Sequence, residues 1–222
     1  MRTLAIGDIH GCCTALLALL DEVKPQPDDQ LVFLGDYLDR GPDTRAVLEM
    51  LIRRQVAGQW IFLRGNHECM MLEAREDFVQ GQSWQECGGL ETLRSYRAEG
   101  RPDWPQAIPE SHWNFLAQTK PYHEMATHIF VHACLDPDLD LADQSDDMLY
   151  WEFFERIRPH KSGKVVVCGH TPQAFGRVRD LGFAVCIDTG VVYGGWLTCY
   201  DTVTRQCWQA NQHGKVSRVR GV

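Results

Sequence analysis

Thr3-Leu4-Ala5-Ile6-Gly7-Asp8-Ile9-His10-Gly11 carries four β-forming or apolar residues into a glycine-flanked turn that holds a carboxylate and an imidazole. An apolar run leading into a polar turn that opens with or contains glycine recurs three times. Leu31-Val32-Phe33-Leu34 leads into Gly35-Asp36-Tyr37-Leu38-Asp39-Arg40-Gly41, Trp60-Ile61-Phe62-Leu63 into Arg64-Gly65-Asn66-His67-Glu68, and Val165-Val166-Val167-Cys168 into Gly169-His170-Thr171. Short unbroken apolar runs read as strands buried on both faces. Each polar turn then lies at the carboxyl end of a strand, where open α/β sheets build their sites.

Between the first two runs, Ala15, Leu16, Leu17, Leu19, Leu20 and Val23 have helical spacing, and Lys24-Pro25-Gln26-Pro27 ends the helix. A second helix starts after Pro42 and runs through Ala46, Val47, Leu48, Leu51 and Ile52 to Gly58. This βαβαβ rhythm predicts parallel strands with right-handed crossovers. A further helix is expected from His67 to about Val79. Residues 80–120, broken by glycines and rich in aromatics, read as an inserted helical cap within a single domain spanning 1–222, and such a cap would shape substrate choice.

His128-Ile129-Phe130-Val131 reads as a strand delivering His132, and residues 148–157 as a helix. Residues 183–187, 196–200 and 206–209 look like an antiparallel meander forming a second sheet. The expected class is α/β, with two packed sheets and outer helices.

Composition narrows the function. With 44% hydrophobic and 23% charged residues the chain is of globular type, and a net charge of −8 disfavours a nucleic-acid partner. No apolar run is long enough to span a membrane. Nine cysteines without C-x-x-C spacing, in a chain whose first strand begins almost at Met1, suggest reduced thiols and a cytoplasmic location.

The turns suggest a site for two metals. Asp8 and His10, alternating along an extended chain, can hold one divalent cation, and Asp36 can bridge to a second completed by Asn66, His132 and His170. Carboxylate, imidazole and amide ligands without thiolate suit Mn, Fe or Zn. A shared water acidified by both ions would attack phosphorus in line, while the departing alkoxide needs a proton. His67 is the candidate acid, oriented by Asp39. Arg40 and Arg64 are candidates to grip phosphate oxygens, with Asn66 close by. Cys69 and Arg75 have the bare C-x5-R outline of a cysteine phosphatase, but the residues between them are helix formers.

In this order, GDIHG, GDYLDRG, RGNHE, VHA and GHT, with Ile187-Asp188-Thr189-Gly190 and Tyr193-Gly194-Gly195 closing the set, the chain resembles the phosphoprotein phosphatase family of metallophosphoesterases from residue 3 to about 201. The resemblance implies a helix-flanked two-sheet sandwich, Mn-dependent hydrolysis of phosphoserine or phosphothreonine, and the ligand and acid roles just given. The chain departs from the family pattern at two places. Cys134 stands where many relatives have glycine, which would strain a turn at positive φ. Trp151 is followed by Glu152 and Phe153 where relatives carry a second phosphate-binding arginine, so Arg156 or Arg158 is expected to substitute.

Two other readings follow from the same residues. One is hydrolysis of symmetric dinucleoside tetraphosphates or another small phosphoester. The other is a non-catalytic interaction module that keeps its metals, which the intact Asp39 and His67 disfavour.

Overall fold

Strand β1 (Thr3–Ile6) pairs parallel with β2 (Gln30–Phe33), and β2 parallel with β3 (Gln59–Phe62). Helices α1 (Cys13–Val23) and α2 (Thr44–Gln55) cross between them, as the βαβαβ rhythm requires. The computed structural model describes residues 2–55 and 59–219, and the expected helix end at Gly58 lies outside them.

Side-chain alternation along these strands creates two packing faces. Leu4, Ile6, Leu31 and Phe33 join α1 and α2 residues such as Leu16, Leu19, Val47 and Leu51 in an outer core. Ala5, Val32 and Leu34 point the other way, against Phe130, Val167 and Val185 of a second sheet. That sheet contains β4 (Tyr122–Glu124), β5 (His128–Val131), β6 (Val165–Cys168), β7 (Arg179–Asp180) and β8 (Ala184–Cys186), in the order β4-β5-β6-β8-β7. Its outer face, with Ile129, Val131, Val166 and Cys168, is covered by Leu149, Tyr150 and Phe154. The layers are therefore helix, sheet, sheet, helix. Burial on both faces is why the strands read as unbroken apolar runs.

The expected meander is divided between the sheets. β8 lies parallel to β6 in the second sheet, whereas β9 (Leu197–Asp201), β10 (Cys207–Ala210) and β11 (Val216–Val219) extend the first, with β9 antiparallel to β1. Periodicity identifies a buried strand but not the sheet that buries it. The crossing occurs over residues 188–196, beside the polar turns. β4, β7 and β11 lie at or near sheet edges and are partly exposed, so they lack the apolar signature that revealed the others.

Two expected helices are broken. The helix from the third motif, α3 (Asn66–Glu76), stops at Asp77, whose extended backbone ends it. The Asp77 side chain then caps α4 (Phe78–Trp84) by accepting from Val79 N at 2.7 Å and Gln80 N at 3.2 Å. A wide turn at Gln85–Gly89 leads into α5 (Leu90–Ser95), and α6 (Glu110–Ala117) follows. The helix expected over 148–157 is only α7 (Asp146–Tyr150) and a single turn at Phe154–Arg156. The loop at the fourth motif takes the intervening backbone: His170 Nε2 donates to Trp151 O at 3.2 Å, and Phe154 N donates to Thr171 Oγ1 at 3.0 Å.

A candidate metal and phosphoester site

The turns after β1, β2, β3, β5 and β6 meet at one end of the sandwich. Ile9 and His10 donate backbone N–H groups to Asp36 O, Gly11 donates to Tyr37 O at 2.9 Å, and Gly169 donates to His132 O at 2.8 Å. These bonds bring Asp8, His10, Asp36, Asn66, His67, His132 and His170 together. All but His170 are buried.

Each expected imidazole ligand has one nitrogen committed to the backbone. His10 Nδ1 donates to Leu38 O at 2.9 Å, His132 Nδ1 to Leu34 O at 3.0 Å, and His170 Nε2 to Trp151 O. Their other nitrogens keep a lone pair. Burial lowers His10 to about 3 and His132 to about 4, and pushes His170 below its ordinary value, so all three are neutral at pH 7. His132 Nε2 and His170 Nδ1 lie 3.0 and 3.2 Å from Asn66 Oδ1. Three acceptors converging without a proton between them suit a cation.

The carboxylates support this fit. Asp8 Oδ1 is buried and has no hydrogen-bond partner. Burial, with Asp188 and Asp36 nearby, pushes the Asp8 carboxyl well above its ordinary value. For Asp36 burial opposes ionisation, but the surrounding imidazoles hold it below the usual range. Positive charge beside both would reverse the strain of these clustered acids.

Ligand-type atoms of His10, Asp36 and His67 fall within 4.8 Å of one another, as do those of Asp8, Asp36 and His132. Asp36 is common to both groups. Asp8 and His10 fall in different groups, each of them beside Asp36. The chain is not extended there, because His10 has φ 45°, and Asp8 Oδ2 instead accepts from His170 N at 3.0 Å.

His67 Nδ1 lies 2.7 Å from Asp39 Oδ2, while its Nε2 is buried and unpartnered. Burial pulls the imidazole down, but Asp36 and the Asp39 bond outweigh it and raise His67 above its ordinary value. Asp39 is held in turn by Trp84 Nε1 at 2.8 Å and Thr92 Oγ1 at 2.7 Å. Sequence reasoning missed both, since they lie more than forty residues away in a helical segment that carries no motif. It also gave no role to Glu68, although Glu68 closes the third motif. Its carboxylate accepts from Asp36 N, Tyr37 N and Gly65 N at 2.7–2.9 Å, which fixes the Asp36 loop.

Arg40 donates to His10 Nε2 at 2.9 Å and faces the site. Arg64 does not: its guanidinium donates to Thr119 Oγ1 at 3.1 Å and Ala117 O at 3.0 Å, tying down the end of α6. Arg156 and Arg158 are exposed and pair with Glu152 and Asp138, away from these ligands. Phe153, two residues after Trp151, places its ring 5.7 Å from that of His170. Cys134 is not at positive φ, so the turn there is unstrained. Cys69 and Arg75 lie within α3, and burial raises the Cys69 thiol to about 12, far from a reactive thiolate.

The sequence of residues 1–196 matches the model of the calcineurin-like phosphoesterase family. The chain belongs to that family. A serine/threonine-protein phosphatase 1 of Salmonella typhimurium is 33% identical over 205 residues, covering 87% of this chain and 88% of the relative. An asymmetrical bis(5'-nucleosyl)-tetraphosphatase of a Geobacillus species is 29% identical over 231 residues, covering 90% of each. A solved structure described as a candidate diadenosine tetraphosphatase shares the fold, with TM-score 0.69 and 22% identity over 100% of this chain and 94% of the other. Calcineurin-like phosphoesterases hydrolyse phosphoesters with divalent metals, and this chain has the side chains to hold them. No helix among the described residues is long and apolar enough to cross a membrane.

Proposed function

We propose that the chain is a phosphatase that uses two divalent ions, best Mn, to hydrolyse phosphoserine and phosphothreonine esters. The observation that carries this reading is the buried, unpartnered Nε2 of His67, backed by Asp39 and set beside ligands that gather around Asp36. Asp8, His10 and Asp36 would hold one ion, and Asp36, Asn66, His132 and His170 the other. When bound, the ions would neutralise the phosphoryl oxygens and acidify the attacking water. Arg40 grips a phosphoryl oxygen, and Asn66 lies within reach of another. His67 keeps its proton because Asp39 stabilises the imidazolium, and delivers it from Nε2 to the leaving oxygen. Arg64 serves the helical segment rather than the phosphate.

The name of the Salmonella relative supports the protein-phosphatase reading. Hydrolysis of dinucleoside tetraphosphates is the second reading, favoured by Phe153 in place of an arginine, which leaves the site less cationic and more aromatic.

The test is a panel of phosphopeptides and dinucleotides assayed with several divalent cations. Chelation should abolish turnover, Mn should restore it, and thiol alkylation should leave it unchanged. His67→Asn should lower kcat by about 10²–10⁴-fold with both ions still bound. Unchanged kcat would remove His67 as the acid, and failure to hydrolyse any phosphoester with Mn would favour a binding module.

A further inference from the structure

Beside the site lies a cleft of about 400 Å3, lined by residues 172–176, 189–190 and 193–196. It adjoins the phosphate side of the site: the Arg40 guanidinium lies 5.8 Å from the centre of the Tyr193 ring, and Pro172 follows directly on His170-Thr171. Three aromatic residues line it. Phe175 is 95% exposed and Tyr193 63%, while Trp196 is partly buried.

Phe175 is held at φ 60°, a conformation a bulky side chain adopts only under constraint. Gly176 next to it packs so closely on the Trp196 ring that a Cβ would strike it, which fixes the turn presenting Phe175. Tyr193 stands between Gly190 and Gly194, both at positive φ. Strained backbone and a bare aromatic ring are both unfavourable in the free protein, and such features cluster at ligand clamps.

No charged side chain lines the cleft. It therefore suits neither a further phosphate nor an acidic peptide. A flat, uncharged ring with hydrogen-bonding groups along its edge fits this lining. Gln173 uses its amide N–H on Thr171 O at 2.7 Å, leaving its side-chain carbonyl available to accept from such an edge. We propose that this cleft is a base subsite that stacks a nucleobase carried by the substrate beyond the scissile phosphate on Phe175 and Tyr193. The proposal rests on the second reading of the site, dinucleotide hydrolysis, and names the structural element that selects it.

The test is Phe175→Ala, which touches none of the candidate ligands or the acid pair. With Mn-loaded protein, kcat/KM for diadenosine tetraphosphate should fall about tenfold, mainly through KM, as expected for the loss of one aromatic stacking partner. Turnover of a phosphoserine peptide and of p-nitrophenyl phosphate should not change. Calorimetric titration of the loaded protein with adenosine should show binding that weakens by the same factor in the variant, a readout that needs no catalysis. Equal loss on all substrates, no loss on the dinucleotide, or adenosine binding indifferent to Phe175 would overturn the subsite. A fall for p-nitrophenyl phosphate matching that for the dinucleotide would overturn the choice of a nucleobase. Adenosine binding that depends on Phe175, in a protein that hydrolyses no phosphoester, would keep the subsite and refute the proposed activity.

Discussion

At the scale of single residues, the site is crowded and strained. Of nine described non-glycine residues at positive φ, five are His10, Asp36, Asp39, Arg40 and His170. These conformations cost free energy, and they persist because the turns around them are bonded to one another. Glycines make room for the carboxylates. A Cβ on Gly65 would fall on Asp36 Oδ1, and one on Gly169 on Asp8 Oδ1. Gly169→Ala should therefore displace Asp8 and weaken metal binding by at least about tenfold, measured by titration with Mn. Unaltered affinity would show that Asp8 does not contribute to the ion.

At the scale of elements, the helical segment after α3 reaches into the chemistry. Trp84 at the end of α4 and Thr92 in α5 both donate to Asp39, which holds His67. Trp84→Phe keeps an aromatic ring, though a smaller one, and removes one donor to a buried carboxylate. It should cost about 1–2 kcal/mol in urea unfolding and lower kcat more than it changes KM. A variant matching the wild type in both would show that Thr92 alone suffices. Strand β1 is anchored in a similar way at its start. Arg2 donates to Asp29 through its backbone N at 2.8 Å and its guanidinium Nε at 3.0 Å, which joins β1 to the turn before β2.

The whole molecule should respond to pH and to metal. Burial opposes ionisation of Asp29, but the Arg2 guanidinium and the N–H groups of Gln26 and Arg2 hold its carboxyl at about 2, below the ordinary 3.8. A carboxyl lowered on folding stabilises the fold at pH above its unfolded value and loses that contribution as pH falls through the folded one. About 2 kcal/mol should thus disappear between pH 4 and pH 2. The stability gap between wild type and Asp29→Asn should close over that window in urea titrations, and a gap independent of pH would refute the assignment. Metal held in the proposed site would act on its buried acids. Each ion at a hundred times its Kd should add about 2.7 kcal/mol, raising Tm by about 5–10 °C per ion over the chelated protein. No shift in Tm would mean that the acids hold no ion.

The sequence by itself determined the parallel strands, their crossover helices and the cluster of acids and imidazoles at the strand ends. Those features are local: a strand buried on both faces must be apolar throughout, and a turn after it must carry its polar groups within a few residues. Tertiary structure decided which sheet received β8 and which received β9, since burial leaves the same pattern whatever covers the strand. It also decided that Arg64 serves α6, that Trp84 and Thr92 hold Asp39, and that Phe175, Tyr193 and Trp196 share a cleft. Contacts between residues far apart in the chain leave no periodic trace, because each partner needs only its own chemistry and a fold that brings it into place.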